Sequence, residues 1–89
     1  MTESTLLREV RDRRSLPSPN RRRAIRTDAG TSQAALAAEI HRRTGLGCTP
    51  EAIGNYEAGR RTPRGVVLMA YAQVLRELER ELQGGFDAA

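Results

Sequence analysis

Three times this chain sets a hydroxyl residue directly before a proline, at Ser18-Pro19, Thr49-Pro50 and Thr62-Pro63. In each step the hydroxyl can accept a hydrogen bond from a backbone amide just ahead of it. The proline that follows has the fixed φ of a first helical turn and no N–H to leave unsatisfied. Helix starts are therefore predicted at Pro19, Pro50 and Pro63. Gly30, Gly45 and Gly59 follow the apolar-periodic stretches, where a left-handed residue ends a helix. Ser32 caps one more helix, opening at Gln33. Punctuation this dense leaves room only for short helices joined by turns, and the fold class it predicts is an all-α five-helix bundle.

Apolar spacing fills in the rest. Ser4 to Arg14 reads as a short amphipathic helix with Leu6, Leu7 and Val10 on one stripe. The helix from Pro19 to about Ala29 buries Ala24, Ile25 and Ala29, and the helix from Gln33 to about Arg43 packs through Leu36, Ala37 and Ile40. Its negative dipole end carries His41, Arg42 and Arg43. The next helix spans Pro50 to Ala58, with Cys48 stapled onto Ile53. In the last, Pro63 to Leu82, residues Leu68, Tyr71, Leu75, Leu78 and Leu82 alternate at spacings of three and four. Its first half completes the core. Leu75, Leu78 and Leu82 are candidates for a two-fold dimer contact, the competing reading being that Leu78 and Leu82 cover the N-terminal helix. One domain over residues 1–83 is expected, with an N-terminal helix (1–17), a core (18–75), a helix extension (76–83) and a flexible tail at 84–89.

The run Ser32-Gln33-Ala34-Ala35-Leu36-Ala37, then Ile53, then Glu57-Ala58-Gly59-Arg60-Arg61-Thr62-Pro63, resembles the Cro and lambda-repressor-like (xenobiotic-response-element) helix-turn-helix family in its Ser-Gln-x-x-Leu-Ala opening and Glu-x-Gly-x-x-x-Pro exit. The likeness covers roughly residues 22–75 and suggests a small phage- or actinobacterial-type regulator. It implies a recognition helix from Pro50 whose groove-facing Thr49, Pro50, Glu51 and Asn55 read bases. Asn55 suits a paired contact to adenine, and Glu51 a hydrogen bond from cytosine N4. It implies phosphate contacts at Ser32 and Gln33, at the helix N-terminus where the dipole favours an anion, and from the basic loop Arg60, Arg61 and Arg64. It also implies a structural ion pair between Arg26 and Glu57. One departure stands out. Leu36 and Glu57 lie about six positions further apart than in the family's usual form, against a usual turn of about three to four residues. The enlarged turn adds Arg42 and Arg43 to the candidate phosphate contacts.

Charge agrees with a polyanionic partner. The chain is +4 overall, but residues 1–64 hold 13 Arg against 7 acids, and residues 65–89 hold 2 against 4. The basic face thus belongs to the part with the motif. No apolar run reaches membrane-spanning length, and one Cys with one His offers neither a disulfide framework nor a metal ligand set. A cytoplasmic protein is expected, associated with the nucleoid or with the host cytoplasm if phage-encoded, and no cofactor is implied. No nucleophile–base pair, paired catalytic carboxylates or phosphate-cradling glycine loop is present, so the chain is read as non-enzymatic. The leading function is a sequence-specific regulator of double-stranded DNA, a homodimer on an inverted repeat that represses by occlusion. The alternative is an antitoxin that neutralises a protein partner and regulates its own operon. Arg21-Arg22-Arg23 reads as a solvated face, His41 as solvated surface, Cys48 as buried packing, and Tyr56 and Tyr71 as core anchors.

Overall fold

The computed structural model describes residues 4–84, and these form five helices and no strand: α1 (Thr5–Ser15), α2 (Pro19–Asp28), α3 (Gln33–Thr44), α4 (Pro50–Glu57) and α5 (Gly65–Gly84). Hydroxyl caps open the first four. The Ser4, Ser18, Ser32 and Thr49 side chains accept from the amides of Leu7, Arg21, Ala35 and Ala52 at 3.1, 3.4, 3.0 and 3.1 Å. Pro19 and Pro50 occupy first-turn positions as predicted. Gly45 ends α3 at φ 74°, and Gly59 follows α4 at φ 75°, a backbone state that costs an L side chain about 1–2 kcal/mol.

The fifth start differs from expectation. Thr62 caps nothing: the helix opens at Gly65, and Pro63 is instead among the fully buried side chains. A proline can nucleate a helix or plug a core. Here the plug closes the end of the bundle where the chain leaves α4. At the other end, α5 includes Gly84, so the expected tail shortens, and its remainder, 85–89, lies outside the described residues.

The core gathers Ile25 from α2, Leu36, Ala37 and Ile40 from α3, Ile53 and Tyr56 from α4, and Ala70, Tyr71, Val74 and Leu75 from α5. Removing each of the large aliphatic side chains from water contributes about 1.5–3 kcal/mol. Ala24 and Ala29 are only partly buried. Tyr71 and Tyr56 stack at 5.5 Å between ring centroids, tilted by 36°, which holds α5 on α4. Leu78 and Leu82 pack onto this core and Leu75 is 1% exposed. Of the three leucines expected at a dimer contact, Leu75 is therefore used within the chain, while Leu78 and Leu82 are covered only in part.

Helix α1 packs on α5 without burying its apolar stripe. Asp12 is its buried residue, 3.5 Å from the Arg76 guanidinium of α5, while Leu6 and Leu7 remain 70% and 60% exposed. The apolar stripe points outward because the polar Asp12–Arg76 contact takes the inward position.

The added residues between the two motif helices divide between α3, which runs 12 residues, and the connection Gly45–Thr49. That connection is tied from within. The His41 ring Nδ1 donates to the Leu46 carbonyl at 2.7 Å, and the Thr44 hydroxyl both donates to Ile40 O (2.8 Å) and accepts from Leu46 N (3.1 Å). His41 is exposed, as read from the sequence, and its ring also clamps the turn. Cys48 packs against the core beside it, and burial pushes its thiol pKa up, away from reactivity.

One buried polar atom is unmatched. The Tyr71 hydroxyl has no hydrogen-bond partner among the described residues, and burial raises its pKa. Deleting an unsatisfied buried hydroxyl removes a desolvation cost. Tyr71→Phe is expected to raise stability by about 1 kcal/mol in urea unfolding. A loss of that size would instead reveal a partner for the hydroxyl.

Candidate nucleic-acid interface

The ends of α2 and α4 are built alike. In each, a left-handed glycine lets the chain fold back so that an amide two residues past the cap reaches a carbonyl near the helix end: Thr31 N to Arg26 O (3.1 Å) and Arg60 N to Asn55 O (3.0 Å). Between these two closures lies a paired arginine and glutamate. The Arg26 guanidinium donates to both Glu57 oxygens, Nε to Oε2 at 2.5 Å and Nη2 to Oε1 at 3.0 Å, and its Nη1 donates to the Thr31 carbonyl at 2.9 Å. The Gln33 amide adds a third donor to Glu57, at 3.2 Å. The pair is 8% and 6% exposed, and Glu57 raises the Arg26 pKa. A buried, bidentate and fully donated carboxylate of this kind fixes α4 against α2 and the start of α3.

Outward from that pair, the exposed side of α4 carries Pro50, Glu51 and Ala58, with Gly54 and Asn55 half-buried beside them. Thr49 uses its hydroxyl as the cap, and Glu51 stands in the first turn, where the helix dipole favours a carboxylate. The Asn55 side-chain oxygen accepts from Arg60 Nε at 3.1 Å. Two grooves flank this surface. One, of about 320 Å³, is lined by Arg23, Arg26, Gln33, Gly54, Ala58 and Arg60 among others. The second, of about 460 Å³, is lined by Tyr56, Arg60, Arg61, Thr62, Arg64 and Val67. The structure thus brings Ser32, Gln33, Asn55, Arg60, Arg61 and Arg64 to one side of the molecule. Gln33 sits there with its amide engaged on Glu57, leaving the helix N-terminus and Ser32 as the feature exposed to an anion.

Arg42 and Arg43 do not join them. They stand at the other end of α3, about 15 Å along its axis from Gln33. Arg42 is bound by Glu39, and Arg43 bridges Glu39 at 2.7 Å to Glu77 of α5 at 2.7 and 3.0 Å. The physical reason is local: Glu39 lies three and four residues before the two arginines, where it meets both on the helix surface. Arg43 thereby ties α3 to α5, while Arg42 stays on α3.

The Arg21-Arg22-Arg23 run also separates. Arg21 pairs with Glu79 at 2.7 Å, and Arg22, half-buried, donates to the carbonyls of Pro17 (2.7 Å) and Tyr56 (3.0 Å), burial lowering its pKa. Arg23 alone reaches the groove beside Gln33. The three read in sequence as one solvated face, but a helix turns about 100° per residue and sends consecutive side chains to different neighbours. Among the described residues, Arg23, Arg60, Arg61 and Arg64 pair with no carboxylate, whereas Arg21, Arg26, Arg42, Arg43 and Arg76 each do. No group of three or more His, Cys, Asp or Glu able to hold a metal occurs among the described residues, nor any helix long and apolar enough to cross a membrane.

Two stability outcomes follow. Glu57→Ala strands Arg26 in the interior and is expected to cost about 3–5 kcal/mol in denaturant unfolding. A cost below about 1 kcal/mol would remove the pair from its central place. Arg42 and then Arg43 hold the Glu39 carboxyl below its ordinary 4.5, at about 2. A depressed carboxylate stabilises the fold above its unfolded value and ceases to do so as pH falls through the folded one. Thermal unfolding of Glu39→Gln should therefore depend less on pH than that of the unmodified chain between about 4.5 and about 2. Parallel curves would reject this role.

A family model described as helix-turn-helix matches residues 23–82. No curated protein and no solved structure matches the chain.

Proposed function

We propose that this chain, which belongs to the Cro/C1-type helix-turn-helix family of DNA-binding regulators, is a sequence-specific transcription regulator that lays α4 in the major groove of double-stranded DNA. The observation that carries the reading is the sorting of the arginines. Arg21, Arg26, Arg42, Arg43 and Arg76 are matched to carboxylates, whereas Arg60, Arg61 and Arg64 together line one groove beside α4 that has no acid in its lining, with Arg23 in the groove next to it. Several cations in one groove with no carboxylate among them are what a phosphate backbone requires.

In this reading Thr49, Pro50, Glu51 and Asn55 face base edges. Ser32 and the N-terminus of α3 sit on one phosphate, while Arg60, Arg61 and Arg64 follow the backbone. Gln33 contributes by orienting Glu57, and Arg42 and Arg43 drop out of the contact set. The site is an inverted repeat with half-sites about 34 Å apart, bound by two copies, and occupancy represses by blocking a promoter, as a Cro-like phage or mobile-element repressor does. Leu75 is buried in the core, which leaves the partly exposed Leu78 and Leu82 as the leucines of that stripe open to a second copy.

A second reading, an antitoxin that holds a protein partner, draws on the outward stripe of α1. Leu6, Leu7 and Val10 are exposed there, and Leu7 and Val10 border an open apolar groove edged by Arg11 and Arg14. Co-expression with the product of the neighbouring gene separates the two: a stable complex that Leu7→Glu abolishes supports the antitoxin, and no complex supports the free-standing regulator.

Selection from a random duplex pool is expected to enrich an inverted repeat, and a pool that stays random would count against sequence reading. On the enriched site, Arg64→Ala should weaken selected and scrambled duplexes alike and reduce the salt slope by about one unit. An unaltered slope would show that Arg64 touches no phosphate.

A further inference from the structure

The backbone closure that ends α4 does more than terminate a helix. Arg60 N and Arg61 N both donate to the Asn55 carbonyl, at 3.0 and 3.3 Å, so the loop is folded back directly onto the residue on the outer side of α4. The Arg60 side chain follows, and its Nε donates to Asn55 Oδ1 at 3.1 Å. Arg60 lines both grooves that flank α4, and its two terminal amino groups have no partner among the described residues.

That contact alters what Asn55 offers. A free asparagine amide matches adenine because its oxygen accepts from N6 while its nitrogen donates to N7. Here one lone pair of the oxygen already accepts from a guanidinium, whose further N–H donors crowd out an incoming amino group at the other. The pair thus offers mainly donors, the Asn55 amino group and the Arg60 terminal nitrogens. Adenine would bring its N6 amino group against those donors. Guanine brings two acceptors, N7 and O6, side by side. Thymine supplies one acceptor and cytosine a donor, so neither matches both halves of the pair.

We propose that Asn55 and Arg60 act as one reading unit that selects guanine, with Arg60 setting the base preference of Asn55 rather than serving only as a phosphate contact. The proposal rests on the DNA-binding reading above and names the base that reading left to Asn55 alone. The expectation that Asn55 pairs with adenine is replaced by it. Both side chains start in place, since the backbone hydrogen bonds of the closure fix their relative position before any duplex arrives.

The test is selection from a random duplex pool with the unmodified chain, Asn55→Ala and Arg60→Ala, followed by titration of the enriched duplex. The position read by the unit is the one whose preference Asn55→Ala relaxes. Guanine is expected there, and replacing it by 7-deazaguanine should weaken binding about tenfold. Arg60→Ala, which releases the Asn55 oxygen, should move the preference at that position to adenine. If Arg60→Ala weakens every duplex equally and leaves the preferred base unchanged, Arg60 is a phosphate contact and the proposal is overturned. Adenine at that position with the unmodified chain overturns it too. A pool from which the unmodified chain enriches nothing defeats the DNA-reading function itself, an outcome distinct from a change of base.

Discussion

The buried contact between Arg26 and Glu57 is the constraint on which the rest of the molecule depends. It joins α2 to the last residue of α4, takes a third donor from the first residue of α3, and sits beneath the surface that carries Asn55 and Arg60. Two charges removed from water must find each other in good geometry, or the site costs more than it contributes. Here the geometry is two-pronged, and the remaining guanidinium donor reaches the Thr31 carbonyl. One pair therefore sets the positions of three helices and of the loop that follows them. The outer face of α4 is as well defined as the pair below it.

Around that centre the arginines have two uses. On the far side of the bundle they act as ties: Arg43 holds α3 to α5 through Glu77, Arg21 holds α2 to α5 through Glu79, and Arg76 holds α5 to α1 through Asp12. Each exposed tie contributes little alone, and together they fill the perimeter of a small core with matched charge. Near α4 the same residue type is left without carboxylates. The net charge of +4 is thus a poor guide to the interface. Where the acids stand decides which arginines remain available.

The helix starts at Pro19, Gln33 and Pro50 were legible because capping is local: the hydroxyl and the amide it receives lie three residues apart, so sequence holds the whole interaction. The same reasoning failed at Thr62-Pro63, where burial of Pro63 is decided by tertiary neighbours. Arg26 with Glu57 was legible only through the family resemblance, as 31 residues separate the partners. The Glu39 contacts of Arg42 and Arg43 have the visible spacing of a helix surface pair. The bridge from Arg43 to Glu77 carries no local signal, and neither does the burial of Asp12 on α1. Leu78 and Leu82 showed the right period, but a period marks an apolar face without saying whether that face meets its own chain or another.

The outer face of α4 is thinly furnished. Gly54 and Ala58 offer no reach, Pro50 offers no donor, and Thr49 has its hydroxyl turned to the cap, which leaves Glu51 and Asn55 as the long polar side chains there. In terms of information, each such side chain distinguishes one base among four. Against about a million to a billion competing genomic positions, a reader needs on the order of ten or more specified base pairs to be selective. On the proposed reading, a single copy of this face falls well short of that, and a long enough address would be written by repetition or in the stiffness of the duplex itself.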